Sequence, residues 1–207
     1  LNTLIIHIVK NKPMSPNDDI LSNMLMRYSR DINQLCDTNR NVNRTSLVSL
    51  TNLFSNKTQD LTEKAYMFEH HMLKNFLVVL DSPSDSVREA AVNFLRNLLE
   101  LYCAASILPS VDVQTLLIER LFARVSKLPY NENIEEIRLE ITRLSIIIAE
   151  MFDAGVRKCM RLVQETLASL LKDKYAEVKK TACGLVEKLC DKYPLEFSLN
   201  VRDVLFS

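Results

Sequence analysis

The chain has 207 residues, with 26 lysines and arginines balancing 26 aspartates and glutamates, so its formal net charge is zero. Close to half of the residues are apolar, which excludes a disordered chain, and the balance of charge removes any whole-chain attraction to nucleic acid or anionic membrane. Only two glycines occur, Gly155 and Gly184, too few for a phosphate-cradling loop, a dinucleotide fingerprint or the tight turns of a β-rich fold.

Leu1 stands where a methionine is expected and "VRDVLFS" ends inside an apolar run, so the stretch reads as a portion of a longer protein. Its first short helix, over about residues 1–12, stops at "KPMSPN", whose two prolines end or start helices rather than continue them. From there the chain alternates. Helices over about 18–36, 60–80, 112–126 and 157–172 are each followed by a second, more regular apolar segment.

Those second segments read "NVNRTSLVSLTNLF" from Asn41, "DSVREAAVNFLRNLL" from Asp85, "EEIRLEITRLSIII" from Glu135 and "AEVKKTACGLVEKL" from Ala176. Each opens with a polar residue and an aliphatic one (Val42, Val87, Ile137, Val178), with a basic residue one or two places on (Arg44, Arg88, Arg138, Lys179). The aliphatic positions are 45, 50 and 41 residues apart. Helices recurring at such a period mark an α-solenoid. Val87, Ala91, Phe94, Leu95, Leu98 and Leu99 form one apolar stripe, and Val178, Ala182, Leu185, Val186 and Leu189 another. Small residues at Ala90 and Ala91, or Ala182 and Gly184, allow a neighbouring helix to come close. Asp37, Asp81 and Asn131 lie seven places before the basic residues and Asp173 seven before Lys180, placed to cap or pair in the turns.

The expected fold is therefore all-α, an α-α superhelix of the HEAT or armadillo-like solenoid kind, curved and right-handed. Approximate repeats cover 17–56, 60–105, 111–153 and 157–193, with partial repeats at 1–12 and 197–207. A single helix pair cannot bury both its apolar stripes, and stacking buries them continuously.

No catalytic, cofactor or metal site is expected. Cys183 and Cys190 are seven apart with no further ligand spaced around them, His7 stands alone, and His70 and His71 are adjacent rather than four apart. The five cysteines are expected to be reduced and mostly to pack in helix cores. The lysines of "KYAEVKKTACGLVEKLCDKYP" are interleaved with Glu177, Glu187 and Asp191, a solvated face rather than a phosphate-tracking stripe. The longest nearly uncharged run, "LYCAASILPSVDVQTLLI", contains Pro109 and Asp112 and is a poor membrane span.

The segments "EVKKTACGLVEKL" and "DSVREAAVNFLRNLL" resemble HEAT repeats, whose second helix often begins with an acidic, an aliphatic and a basic residue. Leu121 to Glu150, with its Glu135-Glu136-Ile137-Arg138-Leu139 helix start, and the following Glu177 to Lys180 with Cys183 resemble the dynein axonemal assembly factor 5 family, also called HEAT repeat-containing protein 2. The resemblance implies a cytoplasmic, non-enzymatic scaffold for preassembly of ciliary dynein arms, with dynein chains and chaperones or co-chaperones as partners and no small-molecule substrate. The alternative is a HEAT scaffold of another class: transport receptor, phosphatase scaffold or tubulin-binding array. Tubulin-binding arrays present aromatic and basic residues on the turns within helix pairs, which Tyr130, Tyr175, Lys172 and Lys174 match in part. With Glu135, Glu136 and Arg138, these residues make up the candidate protein-binding surface.

Overall fold

A computed structural model describes residues 16–56, 61–126 and 132–198. Among them there is no strand. The chain runs α1 (Pro16–Gln34), α2 (Arg40–Ser55), α3 (Leu61–Met67), a π-helical turn (Phe68–Met72), α4 (Leu73–Leu80) and α5 (Asp85–Ala105). It continues through α6 (Val111–Ser126), α7 (Glu135–Met151), α8 (Asp153–Lys158), α9 (Met160–Leu171) and α10 (Ala176–Lys192), and a further helical turn begins at 194. The expected partial helix over 1–12 lies outside the described residues.

Each pair comprises a first helix and a second helix that returns beside it. The second helices α2, α5, α7 and α10 pack side by side in one layer; α1, α3–α4, α6 and α8–α9 form the other. The described chain is thus an all-α solenoid of stacked helix pairs. The expected stripes face the space between the layers: Val87, Leu95, Leu98, Leu99, Val178, Ala182, Leu185 and Leu189 are all fully buried. The fourth first helix starts at Asp153, earlier than expected, and is interrupted at Cys159.

Two departures from regular helix fix how the layers meet. In the second pair the Leu73 N–H reaches the Phe68 carbonyl, a five-residue step that widens the helix by one residue. Phe68 and Phe76 then lie 5.6 Å apart edge-on, and Phe94 stands 5.4 Å from Phe76 and 5.2 Å from Phe54, so four rings join the first pair to the second. At the end of α5, Ser106 takes a left-handed backbone (φ 55°), letting the Ile107 N–H close onto the Tyr102 carbonyl at 2.9 Å.

Of the two glycines, Gly155 rather than Gly184 is the one a neighbouring helix crowds. A β-carbon on Gly155 would lie 2.8 Å from the Gln114 β-carbon, whereas one on Gly184 would make ordinary contact with Ile146 at 3.4 Å. Gln114 holds the junction. Its Oε1 accepts the Gly155 N–H at 3.1 Å and its Nε2 donates to the Pro109 carbonyl at 2.9 Å.

The cysteine expectation is corrected. Only Cys159 is buried; Cys36, Cys103, Cys183 and Cys190 are exposed, and all five are free. Cys183 and Cys190 each follow a buried residue, Ala182 and Leu189, and one helical step of about 100° turns them out of the stripe.

Two substitutions test this packing. Ile137 is 1 % exposed, so Ile137→Asp places an unpaired charge in the core and is expected to cost more than about 3 kcal/mol in denaturant melts. Gly155→Ala forces α8 away from α6 and is expected to cost about 1–3 kcal/mol in the same measurement, because the obstructing atom is a β-carbon close to the backbone.

Candidate functional site: the edge of intra-pair turns

The turns joining the two helices of each pair lie along one edge of the stack, and they share one construction. Asp37, Ser82, Glu132 and Asp173 each stand five residues before the aliphatic position of the second helix. Each side chain accepts the backbone N–H two residues on: Asn39 at 2.8 Å, Ser84 at 3.2 Å, Ile134 at 3.2 Å and Tyr175 at 2.8 Å. In the first three turns, the side chain six residues on reaches back to the backbone carbonyl of the same turn residue. Asn43 donates to Asp37 at 3.0 Å, Arg88 to Ser82 at 2.9 Å and Arg138 to Glu132 at 3.1 Å.

The arginines also reach forward to the next pair. Arg88 grips the Glu132 carboxylate with Nε and Nη2, both at 2.8 Å. Arg138 grips Asp173 in the same way, at 2.6 and 3.0 Å. Two-point contacts of this kind are the strong form of the ion pair. Glu132 is enclosed further by Arg124 Nη2 at 3.1 Å, and its side chain has no exposure. Asp81 faces Arg120 and Arg124 of α6, each at 3.3 Å, rather than its own Arg88.

Burial alone would raise the Glu132 pKa, but hydrogen bonds from Arg88 and the Ile134 N–H, with the Arg88 charge, hold it below the ordinary carboxylate range. Asp173 follows the same balance, its burial outweighed by Arg138 and the Tyr175 N–H. The hydrogen bond to Asp173 raises the Arg138 pKa in return.

This corrects the expected spacing. A pairing residue lies six places before the arginine, Glu132, while the expected Asn131, seven places before it, lies outside the described residues. In the first pair the corresponding side chain is Asn43, buried at 7 %, rather than the exposed Arg44.

The candidate surface divides accordingly. Tyr130 lies outside the described residues. Arg138 is partly buried: its side chain is 15 % exposed and its donors serve Asp173 and two carbonyls. Tyr175 is half-buried against the core, its N–H held by Asp173. Glu135 and Glu136, on the first turn of α7, and Lys172 and Lys174, in the fourth turn, remain exposed. The edge therefore presents an acidic pair beside a basic pair, on turns locked together by Arg138 and Asp173. Among the described residues no group of three or more His, Cys, Asp or Glu could hold a metal ion, and no helix is long and apolar enough to cross a membrane.

Because the folded-state pKa values of Glu132 and Asp173 are depressed, their contribution to stability is full above the unfolded carboxylate range, about pH 4–4.5, and is lost as pH falls through the lower folded values. Melting temperature followed from pH 6 to about pH 3 is expected to drop steeply in the parent and less steeply in Glu132→Gln and Asp173→Asn. At neutral pH, Arg138→Ala is expected to cost about 2 kcal/mol, between an exposed pair and a fully buried one.

The family described as "Dynein axonemal assembly factor 5-like, TPR repeats" matches residues 34–206. Among curated proteins none matches. Among solved structures, the crystal structure of an engineered protein from a structural genomics consortium superposes with a TM-score of 0.64 at 15 % identity, covering 86 % of this chain and 68 % of that one, a likeness of fold alone. The separations of 45, 50 and 41 residues exceed the roughly 34 of tetratricopeptide units and suit longer HEAT-type pairs. With most of its length matched, the chain belongs to the dynein axonemal assembly factor 5-like family of helical repeat proteins.

Proposed function

We propose that this stretch is a non-enzymatic docking scaffold in the cytoplasmic preassembly of axonemal dynein arms, engaging dynein chains together with chaperones or co-chaperones. The four helix pairs are its proposed repeat units. The family supports the process. The observation that carries the docking role is the turn edge, where Glu135, Glu136, Lys172 and Lys174 are exposed on a backbone held rigid by Arg138 and Asp173. A fixed array of opposite charges selects partners through complementary potential at little ordering cost. Of the two aromatics that the tubulin-binding alternative would present, Tyr175 is half-buried against the core and Tyr130 lies outside the described residues.

The test is capture from an extract of ciliated cells. Charge reversal at Glu135 and Glu136 together, or at Lys172 and Lys174 together, is expected to leave the melting curve unchanged while reducing recovery of dynein heavy or intermediate chains at least about tenfold. Undiminished recovery by both variants would remove this edge from the docking surface.

A further inference from the structure

The second turn breaks the common construction. Asp37, Glu132 and Asp173 offer a carboxylate to the N–H two places on, whereas Ser82 offers a hydroxyl. In the third and fourth turns that carboxylate also receives the arginine of the preceding pair. Ser82 has no charge with which to receive one. The matching position on the preceding pair is Asn43, whose amide is spent on the Leu35 and Asp37 carbonyls. Yet the first turns of α2 carry Arg40 and Arg44, four residues apart and so on one face. Both are exposed, and neither makes an ion pair among the described residues. Two guanidinium groups without an ion-pair partner among the described residues therefore lie at the start of α2, on the edge where the neighbouring turn lacks its anion.

Ser82 is followed by Pro83, the dipeptide that proline-directed protein kinases require, in a turn where Pro83 is exposed and Ser82 half-buried. We propose that Ser82 is a phosphorylation site, and that its phosphate supplies the missing anion, takes Arg40 and Arg44, and clamps the first helix pair to the second. The Ser82 hydroxyl oxygen attacks the γ-phosphorus of a nucleoside triphosphate. The bond from that phosphorus to the bridging oxygen breaks, the nucleoside diphosphate leaves, and the hydroxyl proton passes to the kinase's base. The product carries a charge of about −2 and three strong acceptor oxygens, one of which can keep the Ser84 N–H. The acids on either side do not compete for these two arginines, because Asp81 is engaged by Arg120 and Arg124 and Asp85 by Arg88.

The experiment uses the folded chain with Ser15→Ala, which removes the other Ser-Pro dipeptide. A proline-directed kinase with magnesium and ATP is expected to add one phosphate, mapped to Ser82 by mass spectrometry and absent from Ser82→Ala. Hydrogen exchange in α2 is expected to slow about tenfold on phosphorylation, in low salt, with the gain lost in high salt and in Arg40→Ala/Arg44→Ala. Three results would overturn the proposal. One is no phosphate on Ser82 under conditions that phosphorylate a peptide of residues 76–90. Another is a phosphate that leaves exchange in α2 unchanged. The third is faster exchange at the start of α7, which would mean that the phosphate draws Arg88 away from Glu132 instead.

Discussion

The carboxylate of Glu132 is shut away from solvent between Arg88 and Arg124, and much of the stack's geometry is fixed by the need to keep it paired. A buried ion is tolerated only when its lone pairs are taken, and here three elements take them: the start of α5, the end of α6 and the N–H at the start of α7. Those contacts set where the third turn sits relative to the second pair. Arg138, whose Nη1 holds the Glu132 carbonyl, carries the same positioning forward to Asp173. The third and fourth pairs are thus each oriented by an arginine of the pair before it.

The first junction is built differently. Among the described residues no such arginine joins the first and second pairs, and cohesion comes from the rings of Phe54, Phe68, Phe76 and Phe94. Lys64 adds to this. It is nearly fully buried, and its Nζ donates to the Phe54 carbonyl at 3.1 Å and to the Asn56 carbonyl, closing the C-terminal end of α2 with a cation. Asn75 ties α4 to the Ile32 carbonyl at 2.9 Å. Apolar contact is less directional than an arginine–carboxylate fork, so this junction is cohesive without being aligned at the turn edge.

The helices were legible because their signal is redundant. The second helices begin at Arg40, Asp85, Glu135 and Ala176, and the sequence segments at 41, 85, 135 and 176 carry buried stripes that admit one register. The turn network was not, because it depends on single residues and a count. Counting seven from Arg138 leads to Asn131; counting six leads to Glu132, and only the chain path through the turn distinguishes them. Asn43 hid in the same way, a polar residue doing an arginine's local work beside a more conspicuous Arg44. The π-helical turn left no trace, since the apolar residues from Met67 to Leu80 suit either winding. In the sequence Gly155 signals only that glycine is scarce, though its contact with Gln114 is the tighter place for a side chain of the two glycines.

The placement of the arginine forks has a mechanical consequence. They are largely buried and lie along one edge, while the opposite edge is joined by hydrogen bonds, such as Gln114 to Gly155 and the Tyr193 hydroxyl to the Ala149 carbonyl at 3.0 Å, and by the more exposed one-point ion pairs Lys188–Glu150, Arg157–Glu196 and Lys158–Asp112. A strip stiff along one margin and compliant along the other bends like a leaf hinge, opening on its soft side while the stiff margin keeps its length. Tension along the second to fourth pairs is carried by a few short ionic links. At the first junction that stiff margin is interrupted, and there an applied load turns into rotation of one helix pair against the next.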